Sequence, residues 1–456
     1  MNKLITLSIC ILMFLGKLNS QVWVTTSDQQ SLLSMQKLIP AIASDKSQAI
    51  SINEQEKFQS VDGFGYTLTG GSAGLIWRLD KKKRQLLLEE LFGHSVNSIG
   101  LSYLRISIGS SDLDSHVYSY DDLSSGELDL SLTKFSLSQD TVALIPILKE
   151  ILLINPHLKI MSTPWSPPVW MKDNNQTQGG HLLKNYYAVY AHYLVKYIQS
   201  MASHGITIDA MTLQNEPQHG GNNPSMLMDA SEQTEFIKNY VGPIFRSLNI
   251  NTKIIIWDHN CDHPEYPIQV LSDIHANKFI DGSAFHMYNG DESALSTVKK
   301  AFPDKNLYFT EQWTGSHGEF GGDLNWHMKH VVIGSLKNWS RVALEWNLAN
   351  DSEFGPHTPG GCTECKGALT ITDTSITRNV AYYIIAHASR FILPRSIRIA
   401  SSDISGISNV AFKRPDGKII VLVLNEGENK IEFNVANDTK AYHVALDGHA
   451  IASILF

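Results

Sequence analysis

The chain has 456 residues, 43% of them hydrophobic and 18% charged, with 31 Gly and 16 Pro. That is a globular composition, long enough to bury a large core and unlike a disordered chain. A formal charge of -8, with only the short basic run Lys81-Lys82-Lys83-Arg84, argues against nucleic acid as a partner.

In chain order, residues 1–20 carry Lys3, the apolar run "LITLSICILMFLG" and a polar exit. This is the order of a secretory signal peptide and predicts a secreted or periplasmic protein. The run is too short to cross a bilayer, and no later stretch approaches the roughly 20 apolar residues of an integral membrane segment. Residues 21–57 ("VWVTT", "QAISIN") predict N-terminal strands of a β side domain. Within 58–389, eight short strand-like runs alternate with amphipathic helices: "SVDGFGYTL", "SYLRISIGS", "KIMSTPW", "DAMTLQNEP", "KIIIWDHN", "GSAFHMYN", "LYFTEQW" and "VALEWNLA". Eight such repeats predict an α/β fold, a (β/α)8 TIM barrel, over an open doubly wound sheet with a Gly-rich phosphate loop. The aromatic helix "YYAVYAHY" reads as packing. Residues 390–456 change to strand after strand, predicting a C-terminal β-sandwich domain that pairs with the N-terminal strands. Such a two-module chain is most simply a monomer.

In a TIM barrel the chemistry gathers at the C-terminal ends of the strands. Here those ends carry Arg105 and Asp112, Trp165, Asn215-Glu216, Asp258-His259, His286 and Tyr288, Glu311 and Trp313, and Trp346-Asn347. Indole and phenol faces stack on sugar rings, while carboxylates and amides bond hydroxyls. Glu216 and Glu311 end strands four and seven, across the barrel from each other. Two carboxylates flanking one bond are the equipment of glycoside hydrolysis. Asp258 and His259 either line the cleft or hold a loop, and His219, His317 and His357 stand on outer loops.

The ordered segments "VDGFGYTLTGGSA", "YLRISIGSSDLDSHVYSYDD", "STPWSPPVWMK", "TLQNEPQ", "FHMYNGD", "YFTEQWTG" and "EWNLAND" resemble glycoside hydrolase family 30. These are the glucosylceramidase-like enzymes of the four-seven superfamily of retaining TIM-barrel hydrolases. The resemblance implies that Glu216 is the general acid/base and Glu311 the nucleophile. It implies that Asn215 bonds the sugar 2-hydroxyl, that Asp112, Trp165, Trp346 and Asn347 hold the sugar, and that His286 and Tyr288 orient the carboxylates. Trp313 completes the substrate-binding set, and Arg105 supports the nucleophile by favouring its ionised form.

No metal and no organic cofactor is implied. The substrate is a β-glucoside, either the glycolipid glucosylceramide or a β-1,6-glucan, with xylan as a lesser alternative. A non-catalytic carbohydrate-binding barrel is the rival from another class. The segment Gly355–Gly367, which borders the leaving-group side, departs from the animal members of the family. Its Cys362 and Cys365 form a disulfide, plain paired thiols or half of a zinc site with His357, the first two favoured over zinc because no second ligand pair follows. Cys261 reads as a buried thiol.

Overall fold

A computed structural model of the chain describes residues 20–41 and 48–456. The signal-peptide reading therefore falls almost wholly outside the described residues. Eight parallel strands close a barrel: β1 (Gly63–Thr67), β2 (Tyr103–Ile108), β3 (Lys159–Pro164), β4 (Ala210–Thr212), β5 (Lys253–Asn260), β6 (Ile280–His286), β7 (Asn306–Glu311) and β8 (Ser340–Asn347). They pair in sequence order, and β8 returns to β1 through Val342↔Gly63 and Leu344↔Gly65. Each is one of the runs expected from the sequence.

Side chains alternate across a strand, and the barrel interior shows what that alternation builds. Tyr103, Met161, Ala210, Ile255, Ala284, Tyr308, Val342 and Leu344 form one buried apolar layer inside the barrel. Two residues further along four of these strands stand Arg105, Thr163, Thr212 and Thr310, all fully buried. The polar layer thus rests on an apolar plug, and the strand ends above it open to solvent. Close strand approach requires glycine at Gly65, where a Cβ would lie 1.8 Å from the Tyr103 carbonyl oxygen.

Helices cover the outside. Residues 187–203 form the aromatic helix, with Tyr187, Tyr190, Tyr193 and Tyr197 buried. Tyr190 stacks on Phe236 and Tyr197 on Tyr120, so this segment is packing, as its helical spacing indicates. Among the described residues no helix is long and apolar enough to cross a membrane.

The two chain ends build the side domain together. Gln21–Thr25 lies between Ser34–Lys37 and the last strand, Ile451–Leu455. Ile419–Asn425, Ile407–Lys413 and Ile397–Ser401 continue the sheet to Ala49–Ser60. That long strand also pairs in parallel with Ile431–Ala436, joining the second sheet, and it runs to Ser60, three residues beyond the expected boundary at 57. The hairpin 407–425 turns at Gly417, whose φ of 83° is the left-handed region that glycine enters without strain. In "IIVLVLN", Ile419, Val421 and Val423 face the sandwich core while Ile420, Leu422 and Leu424 face the barrel's helices. Burial on both faces explains why this strand is apolar without alternation.

His387, on the helix Val380–Ser389, clamps the two domains. Its Nδ1 lies 2.7 Å from Ser453 Oγ and its Nε2 2.8 Å from Thr25 Oγ1. Ser453 Oγ donates its proton to the His387 carbonyl, and Thr25 Oγ1 accepts from Leu33 N–H. Ser453 has no proton left for the ring, so Nδ1 donates, and in the neutral ring Nε2 accepts the Thr25 hydroxyl proton. Burial, helped by Arg390, lowers its pKa to about 3. Because the folded value lies below the unfolded one, this contact stabilises fully above pH 6.5. As pH falls from 6.5 toward 3 it is lost, at no more than about 1.4 kcal/mol per unit. We expect the thermal midpoint to fall between pH 6.5 and 4.5, and the slope to flatten in His387→Gln. An unchanged slope in the variant would place the pH sensitivity elsewhere.

Candidate active site

Arg105 stands on β2 at the centre of the polar layer and is fully buried. Its Nη1 donates to Glu311 Oε2 at 2.6 Å, and its Nη2 to Asp258 Oδ2 at 2.8 Å and Asn215 Oδ1 at 2.7 Å. Nε reaches Thr163 Oγ1 at 3.2 Å. The guanidinium also lies 4.8 Å from the ring centroid of Trp165, which packs against Trp346 at 5.4 Å. Burial opposes its charge, but Asp258 and Glu311 outweigh that and raise its pKa.

Asp258 is the second hub. Its Oδ2 also accepts from Thr212 Oγ1 at 2.8 Å, and its Oδ1 from Thr310 Oγ1 at 2.7 Å. Burial would raise this carboxyl, yet Arg105 and His286 hold it well below the usual carboxylate range. Strict alternation from Ile255 would turn Trp257 inward and Asp258 outward. A bulge reverses this: pairing passes from Ala284↔Trp257 to Phe285↔His259, skipping Asp258. Trp257 and Asp258 take positive φ of 71° and 66°, backbone strain concentrated beside the site. Trp257 packs outward against Tyr266 instead, and Asp258 faces the barrel axis.

His286, at the end of β6, places Nδ1 3.1 Å from Glu216 Oε1 and Nε2 3.1 Å from Asp258 Oδ1. A ring whose two nitrogens both meet carboxylate oxygens carries both protons. Burial lowers its pKa, but Glu311, Asp258 and Glu216 outweigh burial and push it up to about 9. At Glu216 burial raises the carboxyl, and the hydrogen bond and charge of His286 bring it below its ordinary value. At Glu311 burial dominates and raises it, opposed by His286 and Arg105. The Tyr288 hydroxyl donates to Glu311 Oε1 at 3.0 Å. Glu216 itself has a φ of 45°, with its N–H donated to the Asp258 carbonyl at 3.0 Å.

One oxygen from each of Glu216 and Glu311 and a ring nitrogen of His286 all lie within 4.8 Å of one another. That bound is compatible with the ~5–5.5 Å spacing of a retaining carboxylate pair and lies below the ~6.5–9.5 Å of an inverting pair. Two carboxylates and a histidine could also hold a metal ion. A metal there would have to displace a proton that the neighbouring carboxylates favour on His286.

The cavity above measures about 340 Å³. Asp112, Trp165, Glu216, Tyr288, Glu311, Trp313 and Trp346 line it, joined by His219, Asn222, His259, Asn260, Asn289 and Cys362–Cys365. Arg105, Asn215 and His286 stand behind this wall. Of the expected substrate-binding set, His286 and Asn347 do not line the cavity, while His286 keeps its expected role of orienting the carboxylates. His286 commits both nitrogens to carboxylates and supports them without lining the cavity. Asn347 follows Trp346 by one residue, so alternation turns it outward, where its Oδ1 accepts from Ser72 Oγ at 2.6 Å. Asp112 is buried, and burial together with the Glu311 charge raises its pKa to about 7.

Cys362 and Cys365 form a disulfide, so they are not the thiolate half of a zinc site. Cys261 is a buried thiol, as expected. Of the outer-loop histidines, His219 lines the cavity, whereas His317 is exposed and His357 turns Nδ1 to the Thr358 carbonyl. The sequence reading missed Asn222, Asn260 and Asn289. Asn222 and Asn289 lie on loops without periodicity. Asn260 could have been found as the next polar residue of the "WDHN" strand end.

Residues 61–392 match the glycosyl hydrolase family 30 TIM-barrel domain, and residues 396–454 the family 30 beta sandwich domain. The chain belongs to glycosyl hydrolase family 30. It is 35% identical over 405 residues to an endo-1,6-beta-D-glucanase of Trichoderma harzianum, covering 84% of this chain and 80% of that protein. It is 27% identical over 434 residues to the lysosomal acid glucosylceramidase of Mus musculus, covering 89% and 83%. A solved endo-beta1,6-glucanase superposes with a TM-score of 0.90 at 32% identity, covering 96% of this chain and 99% of that one. This family 30 chain is a glycoside hydrolase.

Removing Arg105 would leave Asp258 and Glu311 as buried charges without their cation. Arg105→Met is expected to lower stability by about 3–5 kcal/mol and kcat/KM by roughly 10²-fold or more. Denaturant unfolding and steady-state kinetics check both, and wild-type values in either would remove the network from its central place.

Proposed function

We propose that this family 30 hydrolase is a retaining endo-β-1,6-glucanase that acts as an exported monomer on extracellular β-glucan. The observation that carries the substrate class is the cavity rim. It is built of Asn222, Asn260, Asn289, His219 and His259 around the indoles of Trp165, Trp313 and Trp346. Among the described residues, none of the large hydrophobic side chains exposed to solvent lines the cavity. Such a rim offers hydroxyl partners and stacking faces for successive sugars, and little apolar surface for acyl chains. The greater identity to endo-1,6-glucanases than to the murine glucosylceramidase supports the same reading. The apolar leader at residues 1–20 supports export.

The reaction is double displacement. Glu311 is the nucleophile: Arg105 donates to one of its oxygens and Tyr288 to the other, the environment that stabilises a carboxylate anion. Glu216 protonates the leaving oxygen. In the free cavity His286 favours the Glu216 anion, and the two close carboxyls titrate as a pair. Substrate binding must therefore settle the shared proton on Glu216, with Arg105 and Tyr288 stabilising Glu311 as the anion. Once Glu311 is esterified by the sugar, its charge no longer raises the proton affinity of Glu216. Glu216 then acts as the base for the incoming water, giving net retention. Arg105 holds Asn215 Oδ1, which leaves its Nδ2 as the donor for the sugar 2-hydroxyl. Trp165 and Trp346 form the stacking face.

Glu311→Gln is expected to lose turnover by roughly 10³-fold or more on every substrate, with azide restoring turnover as an α-glycosyl azide. Undiminished activity would remove Glu311 from the nucleophile position. Substrate class is decided by product analysis on β-1,6-glucan and detergent-dispersed glucosylceramide in parallel. Gentio-oligosaccharides from the glucan are the expected outcome, and preferential cleavage of the lipid would overturn it.

A further inference from the structure

Cys362 and Cys365 are joined across a sequence separation of three. A loop so short removes little entropy from the unfolded chain, so a global staple is a poor account of this disulfide. Its surroundings supply a better one. Both cysteines line the substrate cavity, packed with Leu113, Trp165, Trp346 and Trp313. Cys362 N–H donates to Asp112 Oδ2 at 3.3 Å, and Thr358 N–H to the Asp112 carbonyl at 2.8 Å. Cys365 pairs with Gly315 on the loop that follows the nucleophile strand. Asn223 Nδ2, beyond Glu216, reaches the Pro359 carbonyl at 2.8 Å. The segment Thr358–Lys366 therefore touches the loops after β2, β4 and β7, and the disulfide closes it where it meets both the cavity and Asp112.

We propose that the Cys362–Cys365 disulfide positions Asp112 for sugar binding and forms a fixed wall of the subsite, making the two cysteines positioning residues of the reaction. This rests on the glycosidase reading of the cavity. Asp112 faces Glu311 and Glu216, with Arg105 and His286 behind them, Tyr288 across the cavity and Asp114 on its own loop. Burial and the two glutamates favour a proton on Asp112, and the Cys362 N–H opposes them. Opening the disulfide frees that N–H to move away. Asp112 then holds a proton to higher pH and accepts less well from a sugar hydroxyl.

The test is kinetic and spectroscopic. Wild-type turnover of β-1,6-gluco-oligosaccharides is established first, so an error in the substrate reading shows there and not in the variant. In Cys362→Ser/Cys365→Ser, KM is expected to rise about ten-fold or more, the worth of one hydrogen bond to a charged group. The fall in kcat is expected to be several times smaller, and the acid limb of kcat/KM moves to higher pH. Carboxyl carbon NMR of aspartate-labelled protein reads Asp112 without any substrate, and its titration moves upward in the variant. A folded variant with wild-type KM, pH profile and Asp112 titration overturns the proposal. If the variant does not fold, the wild-type enzyme is reduced with a phosphine under native conditions and then reoxidised. A reversible rise in KM and in the Asp112 titration supports the proposal, and no change after both thiols are counted overturns it.

Discussion

The site depends on one buried guanidinium. An isolated charge inside a barrel costs several kcal/mol of lost solvation, and Arg105 is tolerable there only because Asp258, Glu311, Asn215 and Thr163 meet it. These partners come from four places on the barrel wall, on β5, β7, the end of β4 and β3, while Arg105 itself stands on β2. No two neighbouring strands could supply them. Closure of the barrel and ionisation of the network are thus one event, and the positions of both glutamates follow from it. Arg105 fixes Glu311 directly. Asp258 fixes His286, and His286 fixes Glu216.

The layers beneath and above the network have separate duties. The apolar plug of Tyr103, Met161, Tyr308 and their neighbours keeps water from the lower side of the ions, which strengthens every charge contact above it. The loops above decide what enters. All residues lining the cavity lie between Asp112 and Cys365, so the β-sandwich contributes none of them. Its part is mechanical: it packs on the outer helices through the His387 clamp and the Lys329–Glu426 ion pair at 2.7 Å. A barrel with a rigid flank can hold strained backbone at its mouth, and Glu216, Trp257 and Asp258 show that strain in their positive φ angles.

Barrel membership was legible because alternation and helical periodicity depend on residues two to four positions apart, which the chain carries locally. The eight strand runs, the polar residues at their ends and the Glu216–Glu311 pair could all be read that way. Asp258 could not be ranked by this means, since alternation from Ile255 points the wrong residue inward. Asn347 failed for another reason: it belongs to a strand-end motif, but it stands next to the cavity-lining Trp346, past the register shift that ends β8, and turns outward to Ser72.

The sequence by itself determined the fold, the order of the barrel strands and the placement of two glutamates at the ends of strands four and seven, because these follow from local burial patterns and from residue chemistry at strand ends. Only the tertiary structure decided that His286 carries two protons, that Asp258 is a hub and that Cys362 and Cys365 wall the cavity. Each of these depends on groups from different strands meeting within about 3 Å in a water-poor interior. That proximity is a property of barrel closure and of one bulge, and no stretch of the chain records it.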